Sequence, residues 1–144
     1  MSSEEQFFLV KPVHDILYVD MAGTWNKEQA LAYTEEYKKQ VSRYFAREWA
    51  CVLNLQNLEM LLPETFQIET LRALNTWSFI KGMKAIAVIV SADNRSHLLY
   101  QLEEVFKGAN SYATAVCHSE VEANHWLVEC GFSENRLSQS QQSA

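Results

Sequence analysis

A chain of 144 residues that is 48% hydrophobic, with four glycines and two prolines, has the apolar surface to bury one core, which excludes disordered and fibrous classes. A formal net charge of −6 removes the source of counterion release, so no nucleic acid is expected as a partner. Three cysteines, Cys51, Cys117 and Cys130, form no C-x-x-C pair and leave an odd thiol, which points to a reducing compartment.

The opening residues Met1 to Gln6 are polar and acidic and lack the basic and apolar regions of a signal peptide. No run approaches the ~18 apolar residues of a membrane span. The expected address is the cytoplasm.

Taken in chain order, Phe7 to Val10 and Ile16 to Ala22 are β-rich runs separated by the turn-like Pro12-Val13-His14-Asp15, which predicts an opening hairpin with Gly23 closing its second strand. Asn26 followed by Gln29 is a variant capping box, and Ala30, Tyr33, Tyr37 and Val41 recur at helical spacing. They predict a helix from about Lys27 to Phe45. Its Lys38, Lys39, Arg43 and Arg47 interleave with Glu35, Glu36 and Glu48 as a solvated face of mixed charge.

Ala50 to Leu55 is a short apolar run of the kind buried on both faces of a parallel sheet. A loop from Gln56 leads to Pro63, which suits a helix's first turn, and the second helix is expected from there to Ile80. Ala85 to Val90 is another buried strand. A third helix, starting at Asn94 or Ser96 and carrying Leu98, Leu102, Val105 and Phe106, is expected to stop at Gly108.

Tyr112 to Cys117 supplies the last strand, and Ser119 with Glu122 forms a capping box for a fourth helix reaching about Cys130. The order β-β-α-β-α-β-α-β-α implies an α/β fold: a mixed, mostly parallel sheet with an N-terminal β-hairpin and about four covering helices. Residues 1–134 are expected to form one domain and 135–144, rich in Ser and Gln, a frayed tail.

Three local patterns in that order resemble the SpoIIAA-like branch of the STAS superfamily, whose members include anti-anti-sigma factors and related STAS/CRAL-TRIO-like small proteins. They are Ile16-Leu17-Tyr18-Val19 running into Ala22-Gly23-Thr24-Trp25, then Val52 to Glu59, and finally Ser119 to Leu127 with its capped acidic turn ahead of Trp126-Leu127. The resemblance implies a regulatory protein-interaction module. In regulatory STAS domains a serine or threonine near the second helix is phosphorylated within a motif like Asp-Ser-Ser-Gly. Here that motif falls on Leu62-Pro63-Glu64-Thr65, the acceptor position is Pro63, and Thr65 is the hydroxyl nearby.

Catalytic chemistry finds no foothold. The histidines His14, His97, His118 and His125 lack metal-ligand spacing, so neither a metal nor a cofactor is expected. Cys51 lies in an apolar strand where burial raises its pKa and keeps it inert. Glu35-Glu36 and Glu103-Glu104 are helical neighbours that point apart, and no Gly-rich phosphate loop or nucleophile elbow occurs.

The leading expectation is therefore a non-enzymatic module that meets a protein partner through Gln56, Asn57, Glu59, Glu64 and Thr65. The alternative is a carrier or sensor of a small apolar, lipid-like ligand. Met60, Leu62, Phe66, Trp77, Leu98 and Phe106 would line that pocket or form a dimer face.

Overall fold

Alternation along the first two strands sorts their side chains onto two faces, and the rest of the molecule is built on that division. The computed structural model describes residues 8–25, 27–61, 65–92 and 112–132, with the backbone alone described at 24, 25, 59–61 and 65–68. Among the described residues there are five strands, β1 (Phe8–Val13), β2 (Ile16–Trp25), β3 (Trp49–Leu61), β4 (Met83–Ile89) and β5 (Ala113–Cys117). Three helices accompany them, α1 (Lys27–Tyr44), α2 (Thr65–Ile80) and α3 (Glu120–Glu129). The expected helix around Leu98 and Phe106 lies outside the described residues.

The strands form one sheet in the order β1-β2-β3-β4-β5, with β1 and β2 antiparallel and every other pair parallel. This is the mixed, mostly parallel sheet with an opening hairpin that the element order predicts.

The hairpin turn is tighter than expected. Val13 pairs with Ile16, so the turn is His14-Asp15 alone, and His14 adopts a left-handed φ of 55°. Pro12 lies within β1, opposite Leu17; an edge strand tolerates a residue without a backbone N–H.

Leu17, Val19 and Met21 of β2, Cys51, Leu53 and Leu55 of β3, and Ile86 and Val88 of β4 share the first face. Onto it α1 lays Ala30, Tyr33, Tyr37 and Val41, and α2 lays Leu71 and Leu74. Tyr37 is the centre of the helix seam, with its ring 6.2 Å from Trp49 and 6.3 Å from Trp77, both edge-on. The Ser78 hydroxyl, fully buried, lies 2.8 Å from the Tyr37 hydroxyl and 2.8 Å from the Leu74 carbonyl oxygen, so neither polar side chain is left without a partner.

The second face is lined by Ile16, Ala50, Val52, Ala85, Ala87 and Ile89. Its alanines let α3 approach closely through Ala123 and Leu127, and Phe132 closes the cluster after the helix ends. α3 packs on β3, β4 and β5, so among the described residues no helix packs on the β1 end of this face, and Leu9 there is 51% exposed.

Two glycines make turns that other residues resist. Gly82, between α2 and β4, has φ 110°, and a Cβ there would sit 3.1 Å from the Arg47 carbonyl oxygen; Gly131, after α3, has φ 97° with open space around it. Gly131→Ala is expected to lose about 1 kcal/mol from backbone strain alone. Gly82→Ala adds a clash with main chain and should lose clearly more, which urea unfolding of the two variants will compare.

Candidate functional site

The residues that end β3 read as a loop because they are polar, yet the strand continues through them to Leu61. The reason is the partner: β2 also runs on, through Gly23 to Trp25, and offers a ladder as far as Leu61. Gly23 therefore does not close β2 but lies inside it, at φ 77°.

Between Asp20 and Ala22 the pairing moves from Asn54 to Asn57, and between Gly23 and Thr24 from Leu58 to Met60. Each step places an extra residue on β3, a bulge that lets a strand carry polar residues while keeping its apolar ones inward. Leu55 and Leu58 are accordingly both buried on the first face, while Gln56 and Asn57 between them are exposed.

The first bulge is pinned by side chains. Asn54 Oδ1 accepts from the Gln56 backbone N–H at 3.0 Å, and Gln56 Nε2 donates to the His118 carbonyl oxygen at 3.3 Å. That second bond ties β3 to the turn after β5. There Ser119 caps α3, its Oγ accepting from the Glu122 N–H at 3.1 Å, while Glu122 Oε2 reaches back to accept from the His118 N–H at 3.2 Å. The predicted capping box is present, with its carboxylate one residue further back than the usual reciprocal bond.

Beside this rim, on the second face, lies a cleft of about 260 Å³. The apolar side chains of Leu9, Val13 and Val52 line it, together with the Tyr18 ring. Lys11, Asp20, Asn54 and Glu120 supply polar groups. Tyr18 is oriented by α3, since its hydroxyl donates to Asn124 Oδ1 at 3.0 Å. Asp20 and Asn54 pair in register in the middle of the parallel β2–β3 ladder, just before its first bulge.

Of the residues expected to meet a partner, Gln56 and Asn57 are exposed neighbours in β3, Glu59 follows in the same strand, and Thr65 is the first residue of α2. Glu64 lies outside the described residues. Of those assigned to an apolar ligand or dimer face, Met60 is in β3 and Phe66 in α2, while Leu62, Leu98 and Phe106 lie outside the described residues.

Trp77 is half-buried on α2, packed edge-on against Tyr37, with Lys38 Nζ 5.5 Å and Lys81 Nζ 5.8 Å from its ring centre. No motif in the sequence marks Lys11, Tyr18, Asp20 and Glu120 as lining one cleft. The available signal was period two: Leu9, Lys11 and Val13 share a face with Tyr18 and Asp20 across the hairpin.

Cys51 is buried at the centre of the first face, and burial pushes its thiol up to about 12, against the lowering effect of a hydrogen bond with Tyr37. Burial likewise raises Cys117, with the Glu122 carboxylate adding to the effect, and Cys130, with Glu129 adding. A protonated thiol is a poor nucleophile. His14, His118 and His125 are exposed, and among the described residues no three His, Cys, Asp or Glu side chains gather as metal ligands. Among the described residues no helix is long and apolar enough to cross a membrane.

No family model matches the sequence, and no curated protein does. Among solved structures, an uncharacterized protein of the DUF3478 family with a SpoIIAA-like fold, from Shewanella loihica PV-4, superposes with a TM-score of 0.62 at 16% identity. The match covers 88% of this chain and 98% of that one. The fold is SpoIIAA-like. The Bacillus cell fate determinant SpoIIAA in its phosphorylated form also matches, with a TM-score of 0.50 at 13% identity over 83% of this chain and 98% of that one. At these identities the likeness is one of architecture, and the SpoIIAA-like sheet is what brings the carboxyl ends of β2 and β3 to one rim with the starts of α2 and α3.

The buried thiol and phenols set an alkaline limit. Cys51 ionises near 9 when exposed and about 12 when folded, and burial holds Tyr33 and Tyr37 well above 10. The folded state thus keeps protons that the unfolded state gives up, so stability is full below pH 9 and falls as pH rises toward 12. Urea unfolding should show that decline, and Cys51→Val should make it shallower.

Proposed function

We propose that the protein is a non-enzymatic regulatory or interaction module of STAS type, which meets a protein partner through the rim that carries Gln56, Asn57 and Glu59 and through the first residue of α2, Thr65, with Glu64 preceding it in the sequence. The observation that carries this reading is the bulged end of β3. Gln56 and Asn57 are polar and exposed, yet their backbone belongs to a strand paired with β2 and tied to the β5–α3 turn through the His118 carbonyl.

A binding surface held in place before contact loses less conformational freedom on association than a loose loop of the same composition. The fold likeness to a cell fate determinant supports a signalling role for a rim of this kind.

The relative described as phosphorylated raises the question of a switch in this chain. By the resemblance to regulatory STAS domains, the position that would carry the phosphate falls on Pro63, which has no hydroxyl. Thr65 remains as an acceptor, but Glu64 beside it repels added negative charge. The module therefore works through recognition at the rim without the switch of its regulatory relatives. Its buried, free thiols Cys51 and Cys117 suit a reducing, cytoplasmic setting.

Native mass spectrometry of the protein purified from its own host tests the proposal. A protein partner in defined stoichiometry, or a dimer, is the expected species, and Glu59→Lys and Gln56→Lys should remove it while leaving the fold intact. Trp77→Ala, in the helix seam, should lower stability by about 2–3 kcal/mol and leave the complex in place at low temperature. Partner binding that survives both rim variants, or a stoichiometric lipid in place of a protein, would overturn it.

A further inference from the structure

The cleft on the second face is separate in character from the rim. Of its apolar lining, Leu9 and Val13 belong to the β1 end of the sheet, which α3 does not reach, and Val52 is a buried residue of β3 at the edge of the α3 cluster. Around them stand Lys11 from β1, Asp20 from β2, Asn54 from β3 and Glu120 from the first turn of α3. Four separate elements thus deliver polar groups to one small volume.

Those groups do not satisfy one another. Among the described residues Lys11, Asp20 and Glu120 form no ion pair within 4 Å, although Lys11 and Asp20 sit diagonally across the hairpin, Lys11 opposite Tyr18 and Asp20 opposite Leu9. Asn54 uses its Oδ1 on the Gln56 N–H, which leaves its amide N–H groups as donors. The mostly polar lining of the cleft therefore combines an ammonium and a carboxamide donor with two carboxylates, beside the apolar residues Leu9, Val13 and Val52.

Each simple ligand class leaves part of this lining unmatched. An anion would meet Lys11 but be repelled by Asp20 and Glu120, and a cation the reverse. A wholly apolar molecule would desolvate all four polar groups without replacing their water. A molecule with an ammonium, a carboxylate and a short apolar body matches each part.

We propose that the cleft between the open half of the sheet and α3 binds a free amino acid with an apolar side chain, its carboxylate held by Lys11 and Asn54 and its ammonium by Asp20 and Glu120. The volume of about 260 Å³, roughly eight or nine waters' share, is of the right size for such a molecule. Tyr18, held by Asn124, presents its ring to the aliphatic chain. Because α3 supplies both Glu120 and Asn124, occupancy would also brace α3 against β2, two elements that share few other contacts.

The test is a titration of the full chain with L-leucine, followed by amide chemical shifts, against two half-ligands of similar shape, isoamylamine and 4-methylpentanoate. Saturable shifts at Lys11, Asp20, Val52 and Asn54 are expected in the millimolar range or below, with each half-ligand about tenfold weaker. Asp20→Asn and Lys11→Gln alter exposed strand positions and should keep the fold by circular dichroism while each weakens leucine about tenfold. No saturable binding at millimolar leucine would overturn the proposal. So would half-ligands that bind as well as leucine, or leucine affinity unchanged in both variants. Rim variants leave this titration unaltered, so it stands or falls independently of the partner proposal.

Discussion

The parallel ladder between β2 and β3 organises this molecule. Running from Ile16 opposite Ala50 to Trp25 opposite Leu61, it is long enough to reach past the apolar part of both strands, and its bulges absorb the two residues by which β3 exceeds its partner. Every other element takes its place from it. The hairpin adds β1 on one side, β4 and β5 extend the sheet on the other, and the alternation of β2 and β3 side chains decides which residues each helix can cover. Without the bulges, continued alternation after Leu55 would turn Leu58 away from the core and an exposed polar side chain into it.

The two faces are filled by different means. On the first, aromatic side chains dominate: Tyr33, Tyr37, Trp49 and Trp77 make a chain of edge-on contacts at 5.6 to 6.3 Å that joins α1 to α2. Burial of this kind holds Cys51 and the phenols in their protonated forms, so the core is chemically quiet at neutral pH. On the second face small alanines bring α3 close to β3 and β4, and among the described residues no helix packs on the hairpin side. The two faces thus differ in kind. The aromatic face holds the fold together, and the partly open face leaves polar groups available.

A rim built from strand ends is less costly to order on binding than one built from free loops, because the backbone hydrogen bonds are already made. Here the ties at Asn54, Gln56, His118 and Ser119 connect the ends of β3 and β5 to the start of α3, so the carboxyl side of the sheet behaves as one surface. The cleft adjoins that surface through Asn54 and Glu120.

Periodicity by itself determined the order of the described elements, the opening hairpin, the buried strands at Ala50 and Ala85, and the capped helix at Ser119, because each rests on local spacing and on side-chain to backbone chemistry. The inertness of Cys51 was legible for the same reason, as its apolar neighbours in the strand forecast burial. What tertiary structure decided was the end of β3: Gln56, Asn57 and Glu59 read as a loop in isolation, and lie in a strand because β2 runs on through Gly23 to pair with Asn57, Leu58, Met60 and Leu61 around them. It also decided the cleft. Lys11, Asp20, Asn54 and Glu120 lie up to about a hundred residues apart in the chain and share no motif, and only the closing of the sheet, with α3 laid across its other half, brings them to one place. Local pattern reports which side of a strand a residue faces, whereas what stands opposite it is set by pairings between distant segments that spacing along the chain does not encode.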